Sequence, residues 1–147
     1  MIVMLDTPQD LKVCSEELGC KVEQLFTPLT FRRPQYPKQM FSIDNGAFSR
    51  FIAKRFLSLL EKHELRKDLC RFVVAPDVVG SARRTLEGFW CWQPLLVKWP
   101  VAFVCQDGQE NFGVPWDKCA AVFIGGSTDW KMSKHASAIV KASKIFG

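Results

Sequence analysis

The sequence predicts an α/β protein with parallel strands, on three observations. Short apolar runs bounded by turn residues alternate with longer segments of helical period. The middle runs are almost wholly apolar, as strands covered by helices on both faces are. Each run closes on a short polar cluster that carries an acid, an amide or paired glycines.

Taken in order, five runs read as strands, at residues 2–5, 40–43, 72–75, 101–105 and 121–124. The stretch 14–39 is poorly periodic and holds Pro28, Pro34 and Pro37, which suggests a short helix followed by a long loop. Between the second and third runs Phe48, Phe51, Ile52, Phe56, Leu59, Leu60 and His63 recur at helical steps, opposite Arg50, Lys54, Arg55, Glu61 and Lys62, so an amphipathic helix is expected there. A second helix is expected over residues 82–97, with Leu86, Phe89, Trp90 and Leu96 inward and Pro94 interrupting it. Trp90 and Trp99 read as core, and a third helix starting near Thr128 carries Trp130, Ala136, Ile139 and Val140.

A chain of 147 residues, 48% of them hydrophobic, suffices for one domain with a real core. Twenty Lys and Arg against fifteen Asp and Glu give a net charge of +5, which suits a polyanionic partner without demanding one. Six cysteines occur without a C-x-x-C pair, and neither His63 nor His135 lies near a cysteine cluster. The ligand spacing of a zinc site is missing, so no metal and no cofactor is expected, and a reducing, cytoplasmic setting fits best. The first five residues are too short for a signal peptide, and no apolar run approaches ~18 residues, so neither export nor a membrane span is expected.

Asp44 and Asp77 are 33 positions apart and Asp77 and Asp107 are 30 apart. Both intervals are close to the ~31 residues per βα unit of an eight-stranded barrel. The reading is therefore a partial TIM-barrel-like (β/α) domain with about five parallel strands, whose ligand face lies at the carboxyl ends of those strands. About five such strands leave two exposed edges, so self-association or a complementary chain is expected.

The strand-end clusters are where chemistry belongs. In Ser42-Ile43-Asp44-Asn45-Gly46-Ala47-Phe48, Asp44 suits a general acid or base, although Asp44 or Asn45 serves equally as a helix cap. In Ala75-Pro76-Asp77-Val78-Val79-Gly80, the acid sits among apolar residues and must be paired, which a planar base offering N–H donors would do. Gln106, in Val104-Cys105-Gln106-Asp107-Gly108, both donates and accepts and could read a purine edge, whereas Asp107-Gly108 is also a common turn. Gly125-Gly126 before Ser127-Thr128-Asp129 permits a close backbone approach, to a phosphate, a carbonyl or simply a tight turn. Arg32, Arg33, Lys38, Arg83 and Arg84 are candidates for a phosphate-contacting rim, with a solvated face as the alternative.

Taken in order, these motifs resemble those of the tRNA-guanine transglycosylase superfamily, and especially its shorter phage and bacterial DNA-modifying relatives. Ser42-Ile43-Asp44-Asn45-Gly46-Ala47-Phe48 looks like the family's Asp-Ser-Gly-Gly-Phe segment, Ala75-Pro76-Asp77 is similar to its purine-binding Asp segment, Val104 to Gly108 resembles Val-Gln-Gly-Gly, and Ile124-Gly125-Gly126 matches Ile-Gly-Gly. The resemblance covers about residues 40–130. It implies a (β/α)₈ barrel that exchanges a base in DNA or RNA for a 7-deazaguanine, with Asp44 as the active-site acid and Asp77, Gln106, Gly125 and Gly126 contacting the base. Asn45 and Asp107 are possible additional site residues.

The family's nucleophilic Asp lies on a later strand, and no residue of this chain matches it; Asp107 is the one in-chain substitute. Two expectations follow. The chain is either a base-exchange enzyme whose nucleophile comes from elsewhere, or a non-catalytic module that binds a nucleotide or free base. A generic phosphate-site barrel enzyme, resting on Gly125-Gly126 alone, ranks third.

Overall fold

A computed structural model describes residues 1–30 and 32–146 of the chain, which form two compact units, Met1–Val73 and Val74–Gly147. Both are α/β. Helices lie between most consecutive strands, paired strands run parallel, and within each unit neighbours in sequence are neighbours in the sheet, which is the (β/α) order of part of a barrel.

The first unit contains β1 (Ile2–Leu5), α1 (Leu11–Leu18), β2 (Lys21–Phe26), β3 (Phe41–Ile43), α2 (Ala53–His63) and β4 (Cys70–Val74), whose last residue opens the second unit. Asp10 caps α1 by accepting from the Lys12 N–H at 2.7 Å, and Gly19 ends it in the left-handed conformation at φ 58°.

Among the described residues there are six strands rather than five, because β2 occupies a stretch expected to be loop. Its sequence, Lys-Val-Glu-Gln-Leu-Phe, has neither alternation nor an apolar run, since two polar residues sit at its centre. Both are buried, and each has its partner far along the chain. Glu23, with none of its surface exposed, is bound by Arg71 of β4 through Nε, and through Nη2 at 2.8 Å, with Lys21 Nζ also at 2.8 Å. Gln24 donates to the Arg33 carbonyl at 3.1 Å and accepts from the Gln35 N–H at 3.0 Å. Buried polar groups are tolerable when paired, and this pairing is invisible in a local window.

Helix α2 starts at Ala53, not at Phe48. Asp44 accepts from the Gly46 N–H at 2.9 Å and Asn45 from the Ala47 N–H at 2.6 Å, so the polar pair turns the chain before any helix begins. Phe48 consequently stands 91% exposed instead of facing inward. The inward face proper is Phe56, Leu59, Leu60 and His63.

His63 packs between two rings of the sheet, with centroids 4.2 Å from Phe26 and 5.0 Å from Phe41. Burial first, then the charges of Arg66 and Lys62, lower its pKa from 6.5 to about 4. The unfolded chain therefore takes up a proton below about pH 6.5 that the folded chain refuses until about pH 4. The stability that neutral His63 contributes is intact above that window and is lost across it as pH falls, by up to about 3 kcal/mol. His63→Phe keeps a flat ring in place, and its urea midpoint is expected to fall less than the parent's between about pH 7 and about pH 4.5. Equal acid losses in the two proteins would show that His63 titrates freely.

The second unit continues with α3 (Ala82–Trp92), β5 (Val101–Cys105), β6 (Ala121–Ile124), α4 (Thr128–Lys131) and α5 (Lys134–Phe146). All five residues of β5 are buried, and Phe89 of α3 meets Phe103 edge to face at 5.1 Å. Pro94 sits in a 3₁₀ turn that follows α3, and Leu96 and Trp99 are buried beyond it. Trp90, expected in the core, is 48% exposed. Thr85 takes the inward place because its hydroxyl binds the backbone of Val78 on both sides, accepting at 3.0 Å and donating at 3.2 Å, which rolls the helix face away from Trp90. The third expected helix is two, α4 and α5, in which Trp130, Ala136 and Ile139 are buried and Val140 is exposed.

Among the described residues no helix is long and apolar enough to cross a membrane. The six cysteines are free thiols, with Cys14, Cys70 and Cys105 buried.

Candidate functional site

In the second unit the sequence places three polar loops directly after β4, β5 and β6, and they interlock. Past β4 the Ala75 N–H donates to the Ala102 carbonyl at 2.9 Å, which keeps the chain in the sheet up to Pro76 and delivers Asp77, half-buried, at its end. Ser81, not Asp77, caps α3, accepting from the Arg84 N–H. Asp77 is thereby relieved of the capping role that competed with a functional one.

Gln106, just past β5, is 2% exposed. Its Nε2 donates to Asp77 Oδ2 at 2.6 Å and its Oε1 accepts from the Gly80 N–H at 2.9 Å. The amide is thus engaged at both ends and bridges the β4 loop to the end of β5. An amide bonded to an ionised carboxylate at this length is a charge-assisted contact, stronger than a neutral one, and it fixes the carboxylate's orientation. Asp77 is the more accessible member of the pair.

Asp107 points the other way along the sheet, toward the β6 loop, where its Oδ1 accepts from the Ser127 N–H at 2.7 Å. Its own carbonyl accepts from the Ala82 N–H at 3.3 Å, at the first turn of α3. The two glycines now have a physical reason. A Cβ on Gly125 would lie 2.8 Å from Val104 Cγ1 and 2.9 Å from Gln106 Nε2, and one on Gly126 would lie 2.1 Å from Asp107 Oδ1. Gly126 also has φ +80°, the left-handed region. The close approach for which the paired glycines allow is therefore to the protein's own β5 loop.

At the rim, Glu110 accepts from the Trp130 indole N–H at 2.9 Å, and this bond chiefly holds its carboxyl below the ordinary range. Ser127 caps α4, accepting from the Trp130 N–H.

Of the residues singled out in the sequence, Asp77, Gln106, Asp107, Gly125 and Gly126 thus form one connected cluster. Asp44 and Asn45 belong to the first unit, where they close the turn after β3, and the Asp44 N–H donates to the Phe26 carbonyl at 2.9 Å. Sequence reasoning offered Ser127 as a helix cap, which it is, but missed the parts that Gly80 and Thr85 play in holding the cluster's loops. Gly80 offered a signal, since a glycine three residues past an acid supplies both a turn and an unhindered N–H. Among the described residues no group of three His, Cys, Asp or Glu is placed to hold a metal ion. No family model, curated protein or solved structure matches the chain.

Proposed function

We propose that the chain recognises a purine or 7-deazaguanine base and takes part in base exchange on DNA or RNA. The observation that carries this reading is the Asp77–Gln106 bond at 2.6 Å beside Gly125, because it joins three motifs that resemble the transglycosylase pattern at adjacent strand ends. A carboxylate held in one orientation by a buried amide, beside backbone with no side chain, suits the N–H edge of a planar heterocycle. In this reading Asp77 meets the base, Gln106 aims it, and Gly125 and Gly126 bring the backbone of the β6 loop close against Gln106 at the edge of the site. Asp44, at the end of β3, is the candidate acid, with Asn45 and Asp107 as supporting groups.

The experiment is calorimetric titration with guanine and with a 7-deazaguanine such as preQ0, for the parent and for Asp77→Asn. Asparagine can still accept from Gln106, so the variant removes charge without dismantling the bridge. Loss of a charge-assisted hydrogen bond, about 1.5–3 kcal/mol, is expected to weaken binding roughly 10- to 100-fold. Equal affinity in both proteins, or none in the parent, defeats the reading.

A second reading, a module that binds the base without turning it over, rests on one specific observation. Asp107, the one in-chain substitute for the nucleophile, spends its Oδ1 on the Ser127 N–H at 2.7 Å, whereas a covalent glycosyl intermediate requires a carboxylate aimed at the sugar. Incorporation of labelled guanine into DNA or RNA separates the two, since a binding module takes up the base and leaves the polymer unlabelled.

A further inference from the structure

A polar cavity lies in the first unit, at the carboxyl ends of β1 and β2. Past β1 the chain runs Asp6-Thr7-Pro8, and the segment after β2 carries Thr27, Thr30, Arg32, Arg33 and Gln35. Asp6 gathers that segment, accepting from Thr27 Oγ1 at 3.2 Å, Thr30 Oγ1 at 2.7 Å and Arg32 Nε at 2.6 Å. Two buried or half-buried amides brace it. Gln24 holds the backbone of Arg33 and Gln35, and Gln35 Nε2 donates to the carbonyls of Thr7 at 3.3 Å and Gln9 at 2.8 Å.

The result is a cavity of about 260 Å³ lined by Thr7, Pro8, Gln24, Thr30, Arg32, Arg33 and Gln35. It is smaller than the ~300–1,000 Å³ of sites that take a whole drug-sized ligand, and so is sized for one polar group and what carries it. What faces it is mostly donors. Arg32 spends Nε on Asp6, and among the described residues its two Nη groups have no other partner. Arg33 makes no side-chain bond among the described residues. Thr7 Oγ1 accepts from the Gln9 N–H at 3.1 Å, which leaves its own hydroxyl hydrogen to give. Asp6 is the one acid in the cluster, and with Arg32 and Arg33 the charge comes to +1, Asp6 being already bonded by three donors.

We propose that this cavity binds a phosphate group, with Arg33, Arg32 Nη and the Thr7 hydroxyl as its donors. The Arg32 guanidinium, held through Nε by Asp6, loses little freedom when it closes on an oxyanion, and the fork of both guanidinium groups matches phosphate geometry. The site stands on residues separate from those proposed for base recognition and holds whether or not that reading does.

The test is a titration of the ¹⁵N-labelled protein with inorganic phosphate at constant ionic strength, followed by amide and arginine Nε resonances. Saturable shifts are expected at Thr7, Thr30, Arg32 and Arg33, and Arg33→Gln is expected to weaken binding at least ten-fold. Because Arg33 is exposed and holds no other element, that variant folds. Asp77→Asn is expected to leave phosphate binding unchanged, which separates this site from the other. Repeating the titration with a nucleoside 5′-monophosphate and with a short single-stranded oligonucleotide identifies the source of the phosphate, a free nucleotide or a polynucleotide backbone, by which one binds more tightly than phosphate alone. Absence of shifts at these residues, or an affinity untouched by Arg33→Gln, overturns the proposal.

Discussion

Arg71→Met is expected to destabilise the protein by about 3–5 kcal/mol at neutral pH, the cost of leaving a buried charge without its main partner. Glu23 has no exposed surface, and Arg71 is its bidentate partner, with Lys21 contributing a third contact from a side chain that is 59% exposed. Methionine preserves the packing of the arginine stem, so the change isolates the guanidinium. The effect has a pH signature. Hydrogen bonding from Arg71 first, and from Lys21 after it, holds the Glu23 carboxyl below its ordinary value of 4.5 against the opposing pull of burial. A carboxyl whose folded pKa is depressed contributes stability that is present above its unfolded pKa and is lost as pH falls through the folded value. The parent is therefore expected to lose this contribution below about pH 4.5, while Arg71→Met has already lost it and shows a flatter acid limb. Urea unfolding at several pH values measures both. Pairing Arg71→Met with Glu23→Leu is expected to recover most of the loss, because a buried ion pair is worth little against a matched apolar pair. A single-variant loss below ~1 kcal/mol would place the pair among solvated surface bridges and refute this account.

Gly126→Ala carries the next largest expectation, a loss of about 2–4 kcal/mol. Left-handed backbone costs a residue with a Cβ about 1–3 kcal/mol, and displacing Asp107 from the Ser127 N–H adds about 1 kcal/mol. The added methyl has no room, since its position is 2.1 Å from Asp107 Oδ1 and 3.1 Å from the Asp107 nitrogen, and the latter is backbone. At roughly 3 °C per kcal/mol for a chain of this size, thermal unfolding is expected to move down by roughly 6–12 °C. Gly113→Ala is the control, because a Cβ there meets nothing within 4 Å and the backbone conformation is ordinary. Should the two variants melt together, the β5 and β6 loops are not locked as described.

Where the sequence is most regular, it can be read directly. Residues 101–105 and 121–124 are apolar runs between turn residues, and they are β5 and β6 to the residue. The positions of Asp44, Asp77, Gln106 and Gly125 at the ends of strands follow from the same punctuation, since a polar residue after a buried run has to leave the sheet. The partnerships of these residues are another matter. Nothing near Gln106 in sequence announces Asp77 and Gly80 as its partners, and the glycine pair reads equally as a turn or a ligand cradle until Asp107 and Gln106 are seen against it.

Local sequence, through periodicity and turn chemistry, determined the parallel α/β class, the bounds of β5 and β6 and the loops on which polar chemistry stands. The tertiary structure alone decided that Lys21–Phe26 is a strand, that Phe48 and Trp90 face outward, and that Asp77 is aimed rather than used as a cap. The physical reason is the same throughout. Apolar burial is averaged over a face and leaves a repeating trace along the chain, whereas a buried polar group is satisfied by one partner at one point in space. That partner, Arg71 for Glu23 or Gln106 for Asp77, lies 48 or 29 residues away.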